Sequence, residues 1–287
     1  MGPTGPLRAI RRCWRIHALL NWAKPRFPWP SPGLLLWGFA LFWLAHTPAQ
    51  AGTVRVAAAA DLIYALEDIS DVFQEKTGHR VKLSFGSSGN YTYLILRGAP
   101  FHVFFSANAL YVEKLISEGK TEGKGIPYAT GLLALYVRDP KSLPPTSDLR
   151  HVDAAVRGGR LRKFAIANPA HAPYGQAAQE ILTNAGLWDA MQKHLVLGEN
   201  AAQTAQFAAS NAVDAALIPY AIAKSPFFSK LGSHTVVVSD SLYSPLQQHM
   251  VVLKGANPAA RSLVAFVQSA QAKAILRRHG FGAAPGH

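Results

Sequence analysis

The sequence predicts an α/β fold on mainly parallel sheets, and two observations carry that prediction. Short apolar runs of strand length alternate with segments whose apolar residues recur at helical spacing. Helix-start signals follow those runs directly, as they do in strand–helix–strand units. At 287 residues, 49% of them hydrophobic, the chain is long enough for one large domain or two ordinary ones. It contains no fixed-period repeat and no low-complexity tract.

The chain opens with a basic segment that leads into the apolar run Gly33–His46, too short to span a bilayer comfortably. Ala49-Gln50-Ala51 then fits the small-x-small pattern of signal-peptidase cleavage. Residues 1–51 are therefore expected to be a secretory signal, and the location is expected to be periplasmic. An uncleaved membrane anchor is the alternative. Cys13, the single cysteine, precedes the apolar run, so the mature chain has no disulfide framework and no thiolate metal site.

Thr53–Ala60 reads as the first strand. A helix follows with Leu62, Ala65, Leu66, Ile69, Val72 and Phe73 in register, Asp61 as its N-cap and Gly78 as its stop. Val81–Phe85 is the next strand, and GSSGN turns into a helix at Tyr91–Gly98. Phe101–Ala107 reads as a buried strand, followed by a helix near Leu110–Glu118. Further strands are expected at Gly131–Arg138, Lys163–Pro169, Asp214–Ala221, His234–Ser239 and His249–Lys254. Helices are expected at Gly175–Ala185 and Ala201–Ala209, with one terminal helix from Pro258 closed by Gly280.

In open α/β sheets, ligands bind beyond the carboxyl ends of strands, where helices begin. Four such junctions stand out: Ala60-Asp61, Gly86-Ser87-Ser88-Gly89, Ala172-Pro173-Tyr174-Gly175 and Glu199-Asn200-Ala201. None contains Lys or Arg. Helix N-termini offer unpaired N–H groups and partial positive charge, which suit an anion. A fully ionised oxyanion only accepts hydrogen bonds, so a shell made of donors satisfies it.

VAAAADLIYALEDISDVF, KLSFGSSGNYTYLILRGAPFHVFFSA, IANPAHAPYGQAAQEIL, the ENAAQ segment and the closing ILRRHGF resemble the periplasmic molybdate-binding proteins of ABC transporters. The resemblance covers Thr53–Phe281. It implies a two-lobed periplasmic binding protein of type 2, with a mainly parallel sheet flanked by helices in each lobe and the ligand cleft between them. Residues 53–132 with 245–287 would form one lobe, and residues 133–244 the other. The implied ligand is molybdate or tungstate, with no separate cofactor and no free metal-ion site. The implied partners are a membrane permease and its ATPase, served by a monomer.

The resemblance also implies a ligand set: Asp61, Ser87, Ser88, the backbones of Tyr174 and Ala201, and the side chain of Tyr220. Asp61 stands where many members have serine, and a carboxylate facing a dianion is repulsive. The expectation is that its side chain caps its own helix and leaves backbone N–H groups to the ligand. Direct coordination of the oxyanion's central atom by the carboxyl is the alternative.

Other classes fit less well. The formal charge is +13, from 29 basic and 16 acidic residues. Six of the basic ones fall in residues 1–51, which hold no acid, so the remainder carries +7 in interspersed form, without the basic runs of a nucleic-acid binder. GSSGN misses Gly-x-Ser-x-Gly because Asn90 occupies the second glycine position. Gly119-Lys120-Thr121 has the tail of a phosphate-binding loop, but Lys114 replaces its leading glycine. The histidines show no zinc-site spacing, and no carboxylate pair stands out as acid and base. A non-enzymatic binding protein is expected, and the same fold serving sulfate or an organic anion is the alternative.

Overall fold

The computed structural model describes Ala51–Lys230 and His234–Ala284, and in it the strand–helix alternation builds two five-stranded sheets. Residues 1–51, where a secretory signal is expected, lie outside the described residues except for Ala51.

The first sheet is assembled from β1 (Thr53–Ala59), β2 (Arg80–Gly86), β3 (Val103–Ser106), β4 (Ile126–Gly131) and β10 (Leu246–Val252), in the order β2-β1-β3-β10-β4. The second uses β5 (Leu133–Val137), β6 (Phe164–Ala167), β7 (Leu195–Gly198), β8 (Ala215–Pro219) and β9 (His234–Val237), in the order β7-β6-β8-β5-β9. β1 pairs parallel with β2 and β3, while β10 runs antiparallel to both β3 and β4. In the second sheet β6 pairs parallel with β7 and β8, and β5 runs antiparallel to β8 and β9. Four strands of each sheet thus share one direction, and one strand opposes them. The opposing strands, β10 and β5, each follow a passage of the chain from one sheet to the other, and only Leu132 separates β4 from β5.

Why these segments form strands is plain from their side chains. Val54 and Val56 of β1, Val103 and Phe105 of β3 and Met250 of β10 share one apolar cluster with Leu66, Ile69 and Phe73 from α1 (Ile63–Thr77). Strands covered on both faces become continuous apolar runs, as in β5, where all five residues are buried. α1 stops where expected: Gly78 takes the left-handed conformation at φ 69°, and its N–H reaches the Gln74 carbonyl at 2.9 Å.

The other helices are α2 (Ser88–Leu96), α3 (Ala109–Ser117), α4 (Arg150–Arg157), α5 (Pro173–Asn184), α6 (Trp188–Met191), α7 (Ala201–Ala209), α8 (Tyr220–Ala223), α9 (Pro226–Lys230), α10 (Pro258–Val267) and α11 (Ala270–Arg278). The expected single terminal helix is two, because Ser269 leaves helical geometry and caps α11 through its hydroxyl and the Ala272 N–H, 3.3 Å away. The expected strand at Gly131–Arg138 is the crossing itself, split at Leu132. β4, β7 and α4 had no counterpart in the sequence reading. Among the described residues no helix is long and apolar enough to cross a membrane.

Candidate anion site

The carboxyl ends of the parallel strands of both sheets converge on one small cavity. It is lined by Ala59, Ala60, Asp61, Gly86, Ser87, Ser88 and Ala107 from the first lobe, and by Ala172, Pro173, Tyr174 and Ala201 from the second. The free space they enclose is only about 10 Å³, no more than a single water-sized group needs. Its residues are small because three helices start there and the backbone must come close.

At each start, local capping removes some N–H groups and passes over others. Ser87 is the N-cap of α2, and its hydroxyl oxygen is 3.5 Å from the Asn90 N–H. The Gly89 N–H donates across the cleft to the His171 carbonyl at 3.0 Å, which leaves Ser88 between them. On α7, Asn200 accepts from the N–H groups of Ala202 and Gln203, both at 3.0 Å, and skips Ala201. On α5, Pro173 has no N–H and Gly175 bonds to the Ala172 carbonyl, so the Tyr174 N–H stands at the opening turn. Three helix starts thus aim backbone donors and dipoles at one point, and no Lys or Arg lines it.

The two serines differ. The Ser88 hydroxyl accepts the Ala107 N–H at 3.0 Å, so its own hydrogen remains for a ligand. The Ser87 hydroxyl donates to the His171 carbonyl at 2.6 Å while its oxygen lies 2.9 Å from His171 Nδ1. Ser87 lines the cavity, but its hydrogen is committed to the opposite lobe. Ser87, His171 and Glu199 superficially resemble a hydrolytic triad, with His171 Nε2 3.7 Å from Glu199. The Ser87 hydrogen, however, points at a main-chain carbonyl, so the serine is not poised as a nucleophile and the group is a contact between residues of the two sheets' surroundings.

Asp61 departs from expectation. Its side chain caps nothing: Ala59 precedes the single 3-10 turn Ala60–Leu62, and neither that turn nor α1 has a side-chain cap. The carboxyl turns inward instead, where Oδ2 accepts from Gln248 Nε2 at 2.6 Å and from the Tyr174 hydroxyl at 3.0 Å. Gln248 in turn accepts from the Tyr128 hydroxyl at 2.7 Å. A bulge in β10 between Gln248 and His249 accompanies this inward placement of Gln248. The group is sealed, with Asp61 at 1% and Gln248 at 0% exposure. Burial pushes the Asp61 carboxyl up to about 6, against the opposing pull of the Gln248 and Tyr174 hydrogen bonds. Tyr174 is raised well above its ordinary range, by burial first and by the Asp61 charge second.

Tyr220 is not in the cavity. It heads α8, its N–H bonds to the Leu132 carbonyl at 2.8 Å, and its ring lies 5.8 Å from the Lys224 ammonium. The tyrosine hydroxyl beside the cavity is that of Tyr174, which the sequence reading had assigned through its backbone alone. Gln248, Tyr128 and His171 were missed as well. Gln248 offered little signal, because Gln247 and His249 flank it in β10 and only the fold shows which of the three turns inward. Among the described residues no cluster of three or more His, Cys, Asp or Glu is arranged for a metal ion.

Residues 54–282 match the model of a family described as bacterial extracellular solute-binding protein. The chain belongs to that family. The solute-binding protein is 35% identical over 237 residues to the molybdate-binding protein ModA of Rhodobacter capsulatus, covering 82% of this chain and 90% of that protein. It is 36% identical over 238 residues to the molybdate-binding protein ModA of Azotobacter vinelandii, covering 82% and 91%. The solved structure of the Azotobacter vinelandii periplasmic molybdate-binding protein superposes with a TM-score of 0.71 at 30% identity, covering 79% of this chain and 98% of that one. The two sheets of the solute-binding protein are those of a two-lobed periplasmic binding protein, as the sequence led one to expect.

Proposed function

We propose that this protein is an extracytoplasmic receptor that captures molybdate, or its near-twin tungstate, and delivers it to an ABC transporter. The observation that supports this best is the cavity where three helix starts and the Ser88 hydroxyl converge from two lobes without a cationic side chain. A dianion there is held by neutral donors, as suits a ligand that must later be released. The molybdate-binding relatives, similar over nine-tenths of their length, point the same way.

The ligand contacts in this reading are the Ser88 hydroxyl, the N–H groups of Ser88, Tyr174 and Ala201, and the turn at Asp61. Donors from both lobes act on the ion together only when the lobes meet, so binding and closure reinforce each other. The closed form then docks on a membrane permease driven by an ATPase, after export through the signal segment at residues 1–51. Isothermal titration with molybdate, tungstate, sulfate and phosphate at neutral pH tests the reading. One-to-one binding of molybdate and tungstate, with sulfate and phosphate silent, is the expected result. Preferential binding of sulfate reassigns the ligand, and silence toward all four overturns the oxyanion reading.

A further inference from the structure

Among the described residues Asp61 is the one carboxyl lining the cavity, and Tyr174 is the other ionisable side chain there. The two carboxyl oxygens of Asp61 are not equivalent. Oδ2 is saturated by Gln248 and Tyr174, both of which act as donors to it. Oδ1 is buried and finds no hydrogen-bond partner among the described residues. Leaving a buried carboxylate oxygen unpaired is destabilising, and a dianion placed beside it adds repulsion. The arrangement is resolved by one hydrogen atom.

We propose that Asp61 takes up one proton when the anion binds and that its Oδ1–H then donates a hydrogen bond to the oxyanion. This rests on the receptor reading above. The proton comes from solvent and forms the Oδ1–H bond; the dianion enters unchanged and no other bond is made or broken. Oδ1 is the site of protonation because Oδ2 already faces two donors. The ligand shell then consists of donors only, as a fully ionised oxyanion requires, and the cleft gains one negative charge instead of two.

The surroundings favour this. Tyr174 from α5, Gln248 from β10, the main-chain N–H of Asp61 itself and, behind Gln248, Tyr128 from β4 are the polar groups around the carboxyl, and none is cationic. Ser87 and Ser88 from α2 and Ala201 from α7 bring no charge. His171 and Glu199 are engaged with Ser87 and Asn90. Without ligand the carboxyl titrates near 6, raised by burial, so it is mostly ionised at neutral pH. An adjacent dianion raises it further. Affinity is therefore constant below about pH 6 and falls as pH rises above it, by up to about tenfold per pH unit.

The test is titration calorimetry of the purified protein with sodium molybdate from pH 5.5 to 8.5, in pairs of buffers with different ionisation enthalpies. The expected result is close to one proton taken up per anion at pH 8, with the affinity falling as described. Asp61→Asn places an amide N–H where Oδ1–H would be and does not titrate. It is expected to bind with a pH-independent affinity and no proton uptake. Binding by the native protein without proton uptake overturns the proposal and leaves the receptor reading standing. Proton uptake that persists in Asp61→Asn, or loss of binding in that variant with its melting curve intact, also overturns it. The second of those results points to direct coordination by the carboxyl. If neither protein binds molybdate at any pH, the receptor reading fails and takes this proposal with it.

Discussion

A hydroxyl has one hydrogen to donate, and the adjacent serines at 87 and 88 direct theirs to different places. Ser87 sends it to His171 in the other lobe, whereas Ser88 is held from behind by the Ala107 N–H and keeps its hydrogen for the cavity. Ser88→Ala is therefore expected to weaken molybdate binding by roughly ten- to a hundredfold, the value of a hydrogen bond to a charged group. It should also cost about 1 kcal/mol of stability, because the Ala107 N–H loses its acceptor. Calorimetry and a melting curve on the same sample separate the two effects. The GSSGN motif made these serines legible because a strand-to-helix turn is local. Asp61 was misread for the opposite reason. Its partners Gln248 and Tyr174 lie 187 and 113 residues away in sequence, and without them a cap was the only donor set in view. Tyr220 shows the same limit from the other side, since a tyrosine after a strand has no preferred direction until its neighbours pack. Here Lys224 and Gly280 hold it outside the site.

Among the elements, those with strong periodicity were readable and the weak ones were not. β1, α1, β3 and α7 followed from apolar spacing and their end signals. β4 is interrupted by Pro127 and polar Thr130, and only half of its residues are buried, which blurs any pattern. β7 is short and partly exposed, with Leu197 turned outward. The break between α10 and α11 lay in plain sight as Ser269 within an amphipathic run, but a serine mid-helix and a serine at a cap differ only in backbone geometry. The start of α2 carries a further demand. A Cβ on Gly89 would meet the His171 carbonyl oxygen at 2.5 Å, from the other lobe. The clash exists only where the lobes touch. Gly89→Ala is thus expected to leave each lobe folded while weakening anion affinity at least tenfold through disfavoured closure. A scattering profile of the ligand-saturated variant that stays as open as the ligand-free protein checks the cause.

At the scale of the molecule, both sheets use the same plan: of three consecutive parallel strands (β1–β3 or β6–β8) the second comes first, then the first and the third, followed by an opposing strand and an edge strand running with the rest. That likeness sets the strand ends of the two lobes face to face and makes one cavity of two half-sites. The apolar cluster of the second lobe extends onto Ala59, Ala60 and Ala107 of the first, so contact between lobes buries small side chains beside the ligand. An ion that closes this joint binds the folded state alone. Molybdate at a hundred times its dissociation constant should therefore add about 2.7 kcal/mol of stability and raise the melting midpoint by roughly 5–10 °C. Sulfate at the same concentration should leave the midpoint where it was.

The position of β10 bears on how the chain is made. This strand, near the end of the sequence, lies between β3 and β4 and supplies ladder partners to both. The second sheet has all its strands once residue 237 has emerged, while the first waits for residues 246–252. Until then the edges of β3 and β4 stand open. A chain delivered from its N-terminus therefore completes its lobes in the reverse of the order in which they begin, and the carboxylate at position 61 gains its amide partner only when synthesis is almost over.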